Sequence, residues 1–181
     1  PEFNYILGSV QTMQYRNKLE FGCSNKRWLT QEDIDSKKTF DNMNAIGFHI
    51  TGAFDKIYPI TQCQLMDDLQ NQIRNHIYEY AIKQNISFYD LRNQHGLLRS
   101  IMVRNSNNNE WMVLVQFRFN ESNDKEKALA LLEDLANHFP QITSLLYVDN
   151  QKCNDTFNDL PVEVYKGNDY IYELMEDLKF K

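Results

Sequence analysis

The sequence predicts an α+β fold, in which a largely antiparallel sheet packs against two main helices. Several segments alternate apolar and polar residues with the period of a half-buried strand. Two longer segments repeat apolar residues at three- and four-residue steps, the period of an amphipathic helix. The chain has 181 residues, of which 42% are hydrophobic and 13% aromatic, enough for one domain with a substantial core. The order and type of the elements favour the α+β class.

The first half of the chain contains three predicted strands. Met13 to Phe21 alternate, which places Tyr15 on the core side and basic residues on the other. Gly47–Ile50 and Lys56–Ile60 are short strands separated by a predicted turn. The polar stretch between the first and second strands, residues 31–44, is predicted to be a surface loop with at most a helical turn.

Both helices lie after residue 64. Leu65 to Gln84 form the first amphipathic helix, and the second begins near Asn123, where Glu126 completes a capping pattern, and stops before Pro140. The remaining predictions are strands at 88–93, 97–104, 111–119 and 142–148, and a hairpin turn at 167–169.

Charge and cysteine content restrict the functional classes. The net charge is −6, and the whole acidic excess lies in the last third, where thirteen acidic residues face six basic ones. The first two thirds can therefore carry a basic patch, although the charge predicts no strong attraction for RNA. The cysteines Cys23, Cys63 and Cys153 lack the spacing of a metal knuckle or a disulfide scaffold and are expected to be free thiols. Neither a membrane span nor a secretory signal is apparent, so we expect a cytoplasmic protein.

Four collinear segments carry the strongest functional information. They are Tyr15-Arg16-Asn17-Lys18-Leu19-Glu20-Phe21, then Gly47-Phe48-His49 with Ile60-Thr61-Gln62-Cys63, then His95 to Arg104, then Ile142-Thr143-Ser144-Leu145 with Asn150-Gln151-Lys152. Together they resemble the central region of the RumA/TrmA-type RNA (uracil-5-)-methyltransferases, particularly the branch that modifies 23S ribosomal RNA. The resemblance runs from about Tyr15 to the last residue.

The resemblance implies RNA contacts for basic and polar residues on two of these segments: Arg16, Asn17, Lys18, Arg99 and Arg104. Arg16 and Lys18 are predicted on one strand face, where both could meet the RNA backbone. Ser100 stands where many relatives have His, which leaves the role of that His unassigned. For Arg99 and Arg104, a structural salt bridge is an equal alternative.

Cys63 matches the position that the resemblance assigns to the fourth thiolate of a 4Fe–4S cluster. The other three ligands of such a cluster form a tight group upstream of the Tyr-Arg-Asn-Lys strand in the family, and the sequence has no such triplet. Since a cluster needs about four cysteines, either the triplet belongs to a missing N-terminal part or Cys63 is a buried apolar residue. Both interpretations stay open.

The family's catalytic parts, a nucleophilic thiolate, a carboxylate base and a Gly-rich loop for S-adenosylmethionine, have no match here. We therefore expect residues 1–181 to be the central domain of a longer enzyme, without the RNA-binding barrel and the catalytic domain that family members carry, and to be inactive alone. Its expected partners are ribosomal RNA and its own catalytic domain, with no membrane. The alternative is an independent α+β protein-interaction module, and a free-standing small enzyme ranks last.

Overall fold

The computed structural model describes residues 5–181 and contains one large sheet. Seven strands follow the order β3-β2-β1-β4-β5-β6-β7, and β8 and β9 form a separate hairpin. The strands are β1 (Lys18–Ser24), β2 (Ala45–Ile50), β3 (Ala53–Pro59), β4 (Leu98–Asn105), β5 (Trp111–Phe117), β6 (Ile142–Asp149), β7 (Glu163–Gly167), β8 (Glu173–Met175) and β9 (Leu178–Phe180). The helices are α1 (Gln31–Asp35), α2 (Leu69–Lys83) and α3 (Asp124–His138).

The predicted α+β class is confirmed. Strand pairs in the large sheet are antiparallel except β5 and β6, which are parallel and connected through α3. Parallel neighbours require such a crossover, because a tight turn brings the next strand back in the antiparallel direction. The two predicted helices α2 and α3 are present, and α1 adds one short helix in the predicted loop.

Both faces of the sheet centre are buried. The main core lies between the sheet and the helices, and includes Phe21 and Val113 from the strands with Ile73 and Leu132 from the helices. A second cluster on the opposite face contains Met102, Met112, Leu114, Leu146, Val148 and Ile171. Phe157 and Leu160 pack on this second cluster. Alternation within β5 does not show which later segment covers this face, because Phe157 and Leu160 lie far along the chain.

Three local predictions are wrong. The first strand begins at Lys18, and Tyr15 is 55% exposed instead of facing the core. The segment 88–93 makes only isolated bridges, because a turn at residues 91–94 reverses it. Gly167 ends β7, which pairs with β6, so it is not a hairpin turn. Glycine is required there for two reasons: the φ of residue 167 is +79°, and a Cβ at this position would lie 1.9 Å from the Thr143 carbonyl oxygen.

The start of α3 lies where the sequence placed it, but its cap differs. The Asn123 side chain makes no capping hydrogen bond. Instead, the Asp124 carboxylate accepts from the backbone N–H groups of Asn120 and Glu121, at 2.8 and 2.9 Å. Within residues 5–181, no helix combines the length and apolarity needed to cross a bilayer.

Candidate RNA-binding surface

Three of the predicted RNA-contacting side chains lie at one corner of the sheet. Lys18 and Arg104 are direct partners in the antiparallel register of β1 and β4, and both are exposed. Arg16 precedes β1, where its backbone N–H donates to the Leu65 carbonyl at 2.8 Å. Arg16, Lys18 and Arg104 are called the basic corner below.

The electrostatics of the basic corner favour an anionic ligand. Like charges directly opposite each other on neighbouring strands are destabilising. Glu20 neutralises only the Lys18 charge, through a salt bridge of 2.6 Å between Lys18 Nζ and Glu20 Oε1. In the described part of the chain, Arg16 and Arg104 make no salt bridge. A shallow cleft of about 370 Å³ opens beside Arg16, Lys18 and Glu20, with Phe48 and Leu65 on its other side.

Asn17 connects the two strands of the basic corner. Its backbone carbonyl accepts from the Asn105 N–H at 3.0 Å, and the residue is exposed. This bond holds the beginning of β1 against the end of β4, so the backbone that carries Arg16 and Lys18 is fixed. An RNA contact by the Asn17 side chain stays a prediction.

Arg99 lies apart from the basic corner and is buried. Its side chain is 1% exposed and forms a salt bridge of 2.8 Å with Asp155. Its guanidinium also donates to the backbone carbonyls of Asn150, Lys152 and Asn154, at 2.5, 2.8 and 3.1 Å. It stacks 4.2 Å from the ring centre of Tyr89. These contacts favour the structural alternative, in which Arg99 holds the loop after β6.

Cys63 is buried at 8% exposure and belongs to the main core. Its backbone is held by the first turn of α2: its N–H donates to Asn71 Oδ1 at 2.8 Å, and its carbonyl accepts from Gln70 Nε2 at 3.0 Å. Over residues 5–181, no three His, Cys, Asp or Glu side chains converge as a metal site. Residues 5–181 therefore hold no cluster site of their own, and a ligand role for Cys63 stays a prediction.

The sequence analysis missed a buried arginine beside this segment. Arg74 is fully buried, donates to Gln70 and Asn71 at 2.9 Å each, and lies 4.8 Å from the ring centre of Phe21. Burial lowers the pKa of Arg74 to about 10, which leaves it protonated at neutral pH. The four-residue spacing of Gln70 and Arg74 on one helix was the available sequence indication.

A second unpredicted network joins two buried carboxylates. Asp90 accepts from Lys26 Nζ at 3.0 Å and from the Asn93 N–H at 3.1 Å. Asp55 accepts from Arg92 Nε at 2.5 Å. Burial alone would raise the pKa of Asp90, but its hydrogen bonds outweigh burial and hold that pKa well below its usual range. Both groups are fully paired anions, so they brace the fold and are poor general bases.

Comparisons with known proteins agree with the resemblance in the sequence. No family model matches the chain. A protein of Bacteroides thetaiotaomicron is 51% identical over 181 residues, which cover all of this chain and 40% of that protein. Relatives from Porphyromonas gingivalis and Chlorobaculum tepidum are 48% and 33% identical, covering 39% and 38% of their own lengths. All three are named uncharacterized RNA methyltransferases.

The fold recurs in a solved structure. The Pyrococcus abyssi tRNA (uracil-54, C5)-methyltransferase, in complex with S-adenosyl-L-homocysteine, aligns with a TM-score of 0.64 at 18% identity. The alignment covers 97% of this chain and 36% of that enzyme. The chain spans about two fifths of the length of the curated relatives that it matches. Over its whole length, it is thus similar to one segment of bacterial proteins named RNA methyltransferases.

Proposed function

We propose that this chain is the central, RNA-positioning part of an S-adenosylmethionine-dependent RNA (uracil-5-)-methyltransferase that acts on 23S ribosomal RNA. The observation that carries the proposal is the 51% identity along the entire chain to a protein named an RNA methyltransferase. The shared fold with a tRNA uracil-C5 methyltransferase supports the same reaction class. In this proposal, S-adenosylmethionine and the nucleophile belong to the parent protein outside this segment.

The basic corner supplies the contact with RNA in this proposal. Protein contacts to phosphates set the position of a nucleic acid, and cationic side chains supply most of the affinity. Phosphate oxygens between Lys18 and Arg104 would relieve the repulsion between the two paired cations. The chain thus holds the substrate strand while the catalytic part transfers the methyl group.

An exposed apolar hairpin supports contact with another protein surface. Leu174, Met175, Leu178 and Phe180 of β8 and β9 are each at least 41% exposed. Apolar groups grouped on a surface mark interaction sites. In the proposed function, this hairpin contacts the catalytic part of the same protein. In the alternative of an independent interaction module, it contacts a separate partner and the chain binds no RNA.

RNA binding by the chain itself distinguishes the RNA-positioning function from the independent interaction module. Fluorescence anisotropy with a labelled single-stranded segment of 23S ribosomal RNA would compare the wild type with Lys18→Ala/Arg104→Ala. Lys83→Ala/Lys125→Ala is the matched control, because it removes two exposed helix cations. Each lost phosphate contact should reduce the slope of log affinity against log salt by about 0.7. Equal affinities for the wild type and both variants would contradict the role of the basic corner.

A further inference from the structure

A groove that shares no lining residue with the cleft at the basic corner also has the composition of a nucleic-acid site. The segment 26–28 runs parallel to β3: the Trp28 N–H donates to the Ile57 carbonyl at 2.8 Å, and the Ile57 N–H donates to Lys26 O at 3.1 Å. A groove of about 530 Å³ opens along this segment. Arg27, Trp28 and Lys56 lie along it, together with Ile34 and Met43.

Two cations in the groove are in no direct ion pair within the described residues. Arg27 and Lys56 make no salt bridge to any residue in the range 5–181, and no Asp or Glu lines the groove. Arg27 Nε is buried and has no hydrogen-bond partner. The third cation, Lys26, is already neutralised by Asp90 at 3.0 Å. Buried donors without a partner are costly, so an anion that reaches Arg27 would remove a cost present in the free protein.

Each of these cations lies near a different aromatic ring. The Lys56 ammonium is 5.4 Å from the ring centre of Trp28, and the Arg27 guanidinium is 4.5 Å from the ring centre of Phe40. Ile34 and Met43 are 54% and 40% exposed, so the groove also has an apolar wall. An aromatic ring in one groove with cations that form no salt bridge is the combination with which proteins bind unpaired bases and their phosphates.

We infer that this groove binds one unpaired nucleotide of an RNA strand. The base stacks on Trp28 against the apolar wall, and Arg27 and Lys56 contact the phosphate. A volume of about 530 Å³ is within the range of small-ligand sites. The inference rests on the proposed function, because it adds a second RNA contact to that of the basic corner.

Trp28 itself reports occupancy. The chain has two tryptophans, and Trp111 is buried at 6% exposure. In a Trp111→Phe background, Trp28 is the only indole, so a base stacked on it should quench its fluorescence. We expect quenching by oligouridylate, weaker quenching by a duplex of the same length, and none by inorganic phosphate. Quenching by phosphate alone would overturn base stacking and leave a simple anion site.

Substitutions then assign the affinity. Trp28→Ala should weaken oligonucleotide binding about 5- to 150-fold, the effect of losing one stacked base, whereas Trp28→Phe should retain most of the affinity. Lys56→Gln should weaken binding and reduce the salt dependence, and Lys83→Gln is the matched control. Circular dichroism of each variant checks the fold.

The outcomes separate this inference from the proposed function. If RNA binding depends on Lys18 and Arg104 but Trp28 fluorescence and the Trp28→Ala affinity stay unchanged, the groove inference is wrong and the RNA-positioning role stands. If the chain binds no RNA in any assay, both are overturned. Loss of affinity in Trp28→Ala with recovery in Trp28→Phe supports the groove.

Discussion

Replacing Arg99 decides between its structural and RNA-binding roles. Its guanidinium donates to three backbone carbonyls and to the Asp155 carboxylate. Arg99→Ala would leave the carbonyls of Asn150, Lys152 and Asn154 without this donor, next to a new cavity beside Tyr89. The loop that loses its support leads into the segment of Phe157 and Leu160, which packs on the second core cluster. The variant should therefore lower the stability of the whole domain.

The magnitude follows from the burial of the group. A hydrogen bond to a charged group contributes roughly 1.5–3 kcal/mol, and Arg99 makes three such bonds to backbone carbonyls. The Asp155 carboxylate is 41% exposed, so water can replace Arg99 as its partner and this ion pair adds little. The four contacts share one guanidinium and are not additive. We expect Arg99→Ala to lower the free energy of unfolding by about 3–5 kcal/mol. For a chain of this size, this corresponds to a fall in Tm of roughly 6–20 °C.

Urea unfolding followed by circular dichroism would measure the change. Arg118→Ala is the control, since Arg118 also donates to this loop, at the Gln151 carbonyl 2.9 Å away, but from an exposed position. It should lose less than about 1 kcal/mol. Arg99→Lys should fall between the two, because an ammonium keeps the charge but not the planar fork. A stable Arg99→Ala protein with weakened RNA binding would refute this reasoning.

Three further experiments, two substitutions and one thiol-reagent assay, test the fold. Gly47→Ala should destabilise by about 1–3 kcal/mol in thermal unfolding, because an ideal Cβ would lie 1.9 Å from the Tyr58 carbonyl oxygen; wild-type stability would contradict the close pairing of β2 and β3. Because the folded-state pKa of Asp90 is depressed, its stabilisation is present above its unfolded pKa of about 3.9 and disappears as pH falls below it. In Asp90→Asn, the stability should fall less as the pH is lowered through this range. An unchanged dependence of stability on pH would show that Asp90 does not cause the loss. In a thiol-reagent assay, exposed Cys153 should react quickly and buried Cys23 and Cys63 only on unfolding; burial also raises the pKa of Cys23. Fast reaction of all three would contradict this packing.

Local periodicity was sufficient to predict most of the strands and the two main helices. The apolar spacing of Ile73, Ile77 and Ala81 predicted α2, and all three are buried. Alternation failed at Tyr15 because the chain bends at residues 13–14 and again at 17, with Gln14 at a φ of +54°, before β1 begins at Lys18. The predicted hairpin turn at Gly167 was wrong because the glycine is required by the nearby Thr143 carbonyl. That contact joins residues distant in sequence. Local patterns contain no information about such contacts.

At the candidate site, too, the sequence predicted some residues but not their contacts. Lys18 and Arg104 could be named from sequence motifs, but their direct pairing depends on the register of β1 against β4. Arg99 was named from the same motif, and its burial depends on a loop about fifty residues later. Trp28 and Lys56 were not found, because they meet only when segment 26–28 lies beside β3. Residue types could be predicted where a motif exists, whereas the contacts depend on tertiary structure.

Methyl transfer by the full-length parent protein tests the central claim most directly. The parent would be incubated with S-adenosylmethionine and unmethylated 23S ribosomal RNA, and 5-methyluridine would be measured by mass spectrometry. We predict its formation by the wild type, with a raised KM for RNA in Lys18→Ala/Arg104→Ala and an unchanged KM in Lys83→Ala/Lys125→Ala. Absence of 5-methyluridine with a folded, cofactor-binding parent would contradict the proposed function.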